Sequence, residues 1–434
     1  MSQGGTVRTS YRAPFDYPRI LGAYVAASAI PDAWMLIDSA DCGTLRAEVI
    51  QDNHDWFANI IGPDGRYRIA STGMCPTTAI LDRSELLGQQ IGSLAARGGG
   101  ALFIYPASVA AMVGVDYRAV LARFERGALK MPVMVVDPLD ALGNWVDGYE
   151  QVLETLARDI ELAPRAIEPG SVALIGNLFD RYEGDCTANV AELVRLLEGL
   201  GLSVVSVWLS GTSVAGLAEV ARAETLLALP FAGRSAEILA SRTGARVVRT
   251  GLPVGLSATW SWLRSVGEAV GRTSEARQLV EKEGLGVYRL LGKAVVQHIL
   301  HREFFICAEA TLGVALSGMI RELGGDVRVL ALGGDSAGEV PPEAAHRILA
   351  AADLEELRST LAGELPHCAQ APILLGNQRA IVASSSLKVL PVPFGFQAGG
   401  IHCLMPTPYL GVAGTVSLVE RIANASALDQ LRRA

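Results

Sequence analysis

An α/β fold of three tandem Rossmann-like domains, with mostly parallel sheets around a central cleft, is predicted by three observations. Short apolar runs of strand length alternate with helix-length amphipathic stretches along the whole chain, the pattern of βαβ units. At 434 residues the chain exceeds one ordinary hydrophobic core. Half of the residues are hydrophobic and 19% are charged, a balance that suits a large buried interior rather than disorder.

The first domain is expected over residues 1–165, with strands near Trp34–Ile37, Ala101–Ile104 and Pro132–Val136 and helices over Asp82–Arg97 and Asp116–Arg126. The second, over 166–290, opens with the strand Val172–Ile175 entering a glycine turn at Gly176. It continues through a helix at Asn189–Leu200, strands at Ser203–Trp208 and Thr225–Leu229, a helix at Ala236–Arg242 and the strand Arg246–Thr250. The third, over 291–434, begins with a helix near Lys293. The strand Glu303–Ile306, a helix ending at Leu323, the strand Val327–Leu332 and strands within Pro372–Asn377 and Lys388–Pro391 follow. The acidic stretch Glu339–Glu356 reads as solvated surface.

A formal net charge of −8 and the lack of a basic stripe argue against nucleic acid as a partner. The N-terminus, Met1–Thr6, lacks the charged-then-apolar pattern of a secretory signal. Residues Gly98–Val115 carry no charge, but glycines, Pro106 and Ser108 interrupt them, so a buried strand and loop are expected rather than a membrane span. A cytoplasmic location follows as the expectation. The six cysteines, Cys42, Cys75, Cys186, Cys307, Cys368 and Cys403, are scattered and form no C-x-x-C. Disulfides are not expected in that setting, and Cys186, Cys307 and Cys368 read as small buried hydrophobes.

Two stretches of the first domain stand out. Trp34-Met-Leu-Ile-Asp-Ser-Ala-Asp-Cys42-Gly43 ends an apolar run in a cysteine turn, and Phe103-Ile-Tyr-Pro-Ala-Ser108-Val-Ala-Ala-Met-Val-Gly114-Val-Asp116 ends a later one. Together they resemble the cluster-binding region of the nitrogenase component 1 superfamily: nitrogenase α/β-like chains, cofactor-assembly scaffolds, and protochlorophyllide and chlorophyllide reductase-like chains. In that family one strand ends in Gly-Pro-x-Gly-Cys and a later one in Ser-x-Cys-x-x-x-x-x-Gly-Asp-Asp. The resemblance continues through Leu174–Asp185, through the helix Val190–Gly201 with Leu202–Trp208, and through Val392–Phe396 and Pro408–Gly414.

The resemblance implies a [4Fe–4S] cluster at a subunit interface, held by thiolates because sulfur donors are soft and polarisable. Of the family's three cysteines, the first would fall near Phe15 or Asp16, the second is Cys42, and the third is replaced by Ser108. Cys75, in a Gly- and Pro-bounded loop, is a thiol without a family counterpart that could compensate. Cys42 and Cys75 from each of two chains would make a four-thiolate shell, and Asp16 or Ser108 could add oxygen ligation. His402 lies six residues before Pro408, close to where the family places a histidine at its inter-domain cleft. It is a candidate proton donor or cavity wall, with a satisfied loop histidine as the plainer role. His54, among Asp52, Asn53 and Asp55, is a further candidate for proton relay or metal binding, or else for helix capping. Arg234 and Ser235 after a strand could hold an anion at a helix N-terminus.

No G-x-x-x-x-G-K-[ST] and no clean G-x-G-x-x-G after a strand are present, so neither ATP nor NAD binding is expected in this chain. Electrons would come from an ATP-dependent iron–sulfur reductase of the nitrogenase iron-protein type, as the resemblance implies. The chain then reads as a subunit of a nitrogenase-like oxidoreductase, a homodimer or a heterodimer with a related chain, acting on a small unsaturated or tetrapyrrole substrate. A metallocluster assembly scaffold and a non-catalytic structural subunit stay open beside it.

Overall fold

The computed structural model describes residues 14–40, 65, 67–125, 127–137, 143–178, 184–333, 340–350, 352–396 and 404–433. The described residues hold thirteen strands in three sheets, every strand pairing parallel to its neighbours.

In the first sheet, β1 (Ala33–Asp38), β2 (Ile69–Ser71), β3 (Ala101–Pro106) and β4 (Val133–Val135) lie in the order β2-β1-β3-β4. Every residue of β1 and of β3 is buried, as continuous apolar runs covered on both faces require. The second sheet repeats that order. Its strands β5 (Glu168–Ile175), β6 (Ser203–Val207), β7 (Ala223–Ala228) and β8 (Arg246–Arg249) run β6-β5-β7-β8. The third holds β9 (Glu303–Glu309), β10 (Asp326–Gly333), β11 (Arg347–Ala350), β12 (Ile373–Gly376) and β13 (Leu390–Pro393), in the order β11-β10-β9-β12-β13. Each sheet therefore has a switch point where successive crossovers leave in opposite directions: β1/β3, β5/β7 and β9/β12.

The α/β expectation is met, with local differences. The acidic stretch 339–356, expected as solvated surface, contributes the edge strand β11, paired to β10 from Val329↔Arg347 to Leu332↔Ala350. Its Arg347 is exposed and Ile348, Leu349 and Ala350 are half-buried, as suits a short edge strand. β2, three residues long, is too short to carry a period. The helix expected over 82–97 is observed at Ser84–Ala95, and that expected over 116–126 closes after one turn, at Tyr117–Leu121. The helix expected near Lys293 is the end of a 26-residue helix, Thr273–His298, which runs without a break through the boundary drawn at 290–291.

Two helix contacts position the rest. Helix Arg19–Ser28 lies against helix Trp145–Asp159, whose Asn144 side chain accepts the Val146 and Asp147 amides at 2.8 and 3.2 Å, closing a capping box with Asp147. The glycines make this crossing close: a β-carbon on Gly148 would stand 1.9 Å from the Arg19 carbonyl oxygen. The last helix, Gly411–Arg433, rests on Thr273–His298 and on helix Gly184–Gly199. Asn189 of that last-named helix accepts the Tyr409 and Leu410 amides at 2.8 and 3.0 Å, and Glu192 accepts those of Val412 and Ala413 at 2.9 and 3.1 Å. Gly411, at φ 74°, turns the chain into the helix directly over the Glu192 carboxylate. No described helix is long and apolar enough to cross a membrane.

Candidate functional site

Parallel sheets offer ligand sites beyond the carboxyl ends of their strands at the switch point. In the first sheet that point lies between β1 and β3, which pair in register from Ala33↔Ala101 to Asp38↔Pro106. Ser108 follows β3 by two residues as the first residue of helix Ser108–Val113, and is exposed. Cys75 follows β2 by four residues, is exposed, and precedes the single-turn helix Pro76–Ala79. Met74 and Ala79, on either side of the cysteine, pack on Ala110 of the Ser108 helix. Two of the sequence candidates, Cys75 and Ser108, are thus brought to one sheet edge.

The Cys75 thiol is prepared as a donor. Thr78 Oγ1 lies 3.4 Å from its sulfur, and that hydrogen bond, with further ones from the Thr78 and Thr77 region, lowers the thiol below its ordinary value. Around the edge stand exposed apolar side chains: Ile80 at 83%, Leu81 at 58%, Val109 at 46% and Met112 at 78%. Exposed clusters of this kind mark contact surfaces.

Beneath the edge lies a group that the sequence reading passed over. The Asp38 carboxylate, fully buried, receives Tyr117 Oη at 2.6 Å, Thr72 Oγ1 at 2.8 Å, Arg83 Nη2 at 2.7 Å and Arg83 Nη1. Burial would raise this acid, but the bonds from Arg83, Tyr117 and Thr72 outweigh it and hold it below the carboxylate range. Tyr117 is pushed up in turn, by burial and by its bond to Asp38. Asp38 ends an apolar run as any strand terminus might, and its partners lie 34, 45 and 79 positions away.

Asp16 packs against the third sheet. Its neighbour Phe15 bonds to the Ala352 carbonyl at 2.9 Å and enters the core beside Phe305 and Cys307. A β-carbon on Gly333, at the end of β10, would come within 2.8 Å of Asp16 Cγ. Burial raises the Asp16 carboxyl to about 6, opposed by the Tyr17 amide and by Arg379 and reinforced by Glu309 and Asp147. Glu309 ends β9, at the switch point of its sheet, and caps the next helix by accepting the Thr311 and Leu312 amides at 3.0 Å. Burial raises it too. Glu150 is lifted to about 7, first by burial and then by Asp147, Glu154 and Glu309. Sequence reading had no signal for Glu150 or Glu309, one on an amphipathic helix and the other at the end of a strand.

The remaining candidates sort as follows. Cys186 and Cys307 are buried and Cys368 is half-buried; burial pushes the Cys307 thiol up and the Cys368 thiol up to about 11, so neither of these two is a ready thiolate. The helix N-terminus at Arg234 and Ser235 already holds an anion of the chain itself, since the Arg234 amide donates to Glu154 Oε1 at 2.9 Å. Cys42, His54, His402 and Cys403 lie outside the described residues. Among the described residues, no three His, Cys, Asp or Glu side chains are grouped to hold a metal ion. The donor chemistry at the first sheet's edge, one lowered thiol and one hydroxyl, fits a cluster completed by other ligands rather than one enclosed by these side chains alone.

Comparison with known proteins agrees with the fold. The family described as nitrogenase component 1 type oxidoreductase matches residues 19–427. The chain is 24% identical over 348 residues to the nitrogenase iron-iron protein beta chain of Rhodobacter capsulatus, covering 73% of this chain and 74% of that one. Among solved structures it is similar to one described as nitrogenase Cp1 at pH 6.5, with a TM-score of 0.80 and 17% identity over 98% of this chain and 95% of the other. The same protein at pH 5 matches with a TM-score of 0.74 and 13% identity over 100% and 92%.

Proposed function

The chain belongs to the nitrogenase component 1 type oxidoreductase family, and from that premise we propose that it is a subunit of a nitrogenase-like reductase. It takes electrons from an ATP-hydrolysing iron–sulfur reductase through a [4Fe–4S] cluster shared with a second, related chain. It delivers them to a small unsaturated or tetrapyrrole molecule in a cleft among the three domains. The observation that carries this reading is the edge of the first sheet. A lowered, exposed thiol (Cys75) and Ser108 both lie in segments that follow strands of that sheet, and Ile80, Leu81, Val109 and Met112, close to them in sequence, are exposed apolar side chains that a second subunit would cover.

A bound cluster supplies one-electron transfer at a potential set by its surroundings. This chain's own part is to hold it and to exclude water. Cys75 offers a thiolate, with Cys42 as its partner from the sequence, and the apolar rim keeps the joint dry. Reduction also consumes protons. Asp16 and Glu150, lifted to about 6 and about 7, are carboxyls able to hold a proton near neutral pH, and His402 is the further candidate donor.

The test is iron and acid-labile sulfide per chain after anoxic purification, with Cys42→Ala and Cys75→Ala beside the wild type. About two of each per chain, lost in both variants, is the expected result for a cubane shared by two chains. A non-catalytic subunit is the second reading, favoured by the hydroxyl of Ser108 standing where the family has a thiol. It predicts no iron in the isolated chain and a full cluster only beside a fully ligated partner.

A further inference from the structure

Asp38 joins the loops that follow three neighbouring strands. Thr72 comes from the loop after β2, Tyr117 opens the helix that follows the β3 turn, and Arg83 precedes helix Ser84–Ala95. The backbone around the carboxylate is laced in the same way. Thr72 donates its amide to the Ile37 carbonyl at 2.9 Å, Met74 to Ser39 at 2.8 Å and Ala107 to Asp38 at 3.2 Å. Ser71 Oγ reaches the carbonyls of Ser39 and Ala40 at 3.0 and 3.1 Å.

An apolar residue at the end of β1 would fill this space without the cost of burying a charge. What the carboxylate adds is direction: three side chains can meet it in only one arrangement. We infer that Asp38 is the positioning residue of this edge. With Arg83, Tyr117 and Thr72 it fixes the 71–75 loop, and with it Cys75, against the turn that carries Ser108 and the backbone that runs on toward Cys42. The inference rests on the reading of this edge as the cluster site. Asp38 itself touches no reacting atom.

Asp38→Ala would strand the Arg83 charge and unfold the region, so the test uses hydroxyl deletions. Tyr117→Phe removes the bond to Asp38, Thr72→Val removes the bonds of its hydroxyl to Asp38 and to the Ser39 carbonyl, and both leave the Asp38–Arg83 pair. On iron-free protein, hydrogen exchange is read at the Thr72 and Met74 amides, with Leu226 in the middle sheet as the control. Iron is then measured in anoxically purified protein. The expected result is exchange faster by roughly 10-fold at Thr72 and Met74, with Leu226 unchanged and bound iron at least halved. Thr72→Ser, which keeps the hydroxyl, restores both. Unchanged exchange at Thr72 and Met74, an equal rise at Leu226, or full iron despite a loosened loop would each overturn the inference. A wild type without iron whose loop still loosens in the variants would overturn the cluster reading alone.

Discussion

Gly22 lies directly on the backbone of Trp145: a β-carbon at Gly22 would stand 1.5 Å from the Trp145 carbonyl oxygen. Two helices distant in sequence meet there main chain to main chain, and neither can back away without uncovering Tyr24, Tyr149 and Val152, all fully buried. Gly22→Ala is therefore expected to cost about 3 kcal/mol or more, read as a lowered midpoint in urea unfolding. A loss under about 1 kcal/mol would mean that the two helices are not in backbone contact at this crossing.

Glu192 holds two free amides at the start of the last helix and bonds Arg195 at 2.7 Å on its other oxygen. Glu192→Ala leaves a buried donor at Val412 and a partly buried one at Ala413 unmatched. A loss of about 1–3 kcal/mol is expected, with Glu192→Gln milder, since it still offers one acceptor. Thermal unfolding of the three proteins side by side decides it.

Through Asp16 and Glu150, acidity should stabilise the protein between pH 8 and 5, opposed by His298, which burial holds below the ordinary imidazole value. Asp16 and Glu150 titrate at about 6 and about 7 when folded, above their unfolded values, so the folded chain holds the extra protons. Their contribution is complete below the unfolded carboxylate pKa and is lost as pH rises through 6 to 7. Asp38, held low, works in the opposite sense and only at pH values below this window. Asp16→Asn should raise stability at pH 8 by about 1–3 kcal/mol and flatten the profile. An unchanged profile would show that the carboxyl is solvated.

Thr78→Val removes the largest of the hydrogen bonds that lower the Cys75 thiol. In iron-free protein, alkylation of Cys75 by iodoacetamide at pH 7.5 is expected to slow, and its pH profile to move upward. Equal rates in wild type and variant would show that Thr78 does not set the reactivity of Cys75.

The parts of this architecture that are legible in sequence are those carried by local patterns. The runs 34–37, 101–104 and 172–175 announce buried strands, and the glycines after them announce turns. Tertiary contacts hide the rest. β11 is a four-residue edge strand that its charged neighbours mask, and β2 has three residues. Cys75 and Ser108 are visible as isolated residue types. Their convergence depends on the β2-β1-β3 order, which no spacing encodes. Asp38 reads as a strand terminus until Arg83, Tyr117 and Thr72 are seen around it, and the lifted acids Asp16 and Glu150 owe their state to burial that the sequence does not reveal.

The anchoring of the N-terminal segment in the last sheet bears on how the chain is made. Pro14 bridges to Asp353, Arg379 donates to the Pro14 carbonyl at 2.8 Å, and Phe15 fills a core with Phe305 and Leu374. During synthesis the first of these residues must wait for nearly all the others to leave the ribosome, while β5–β8 have every partner close behind them. The first sheet, closed by residue 135, and then the middle sheet should therefore become protease-resistant ahead of the third on the nascent chain. Residues 14–17, though among the first made, should be protected only late, once β12 and Arg379 have emerged.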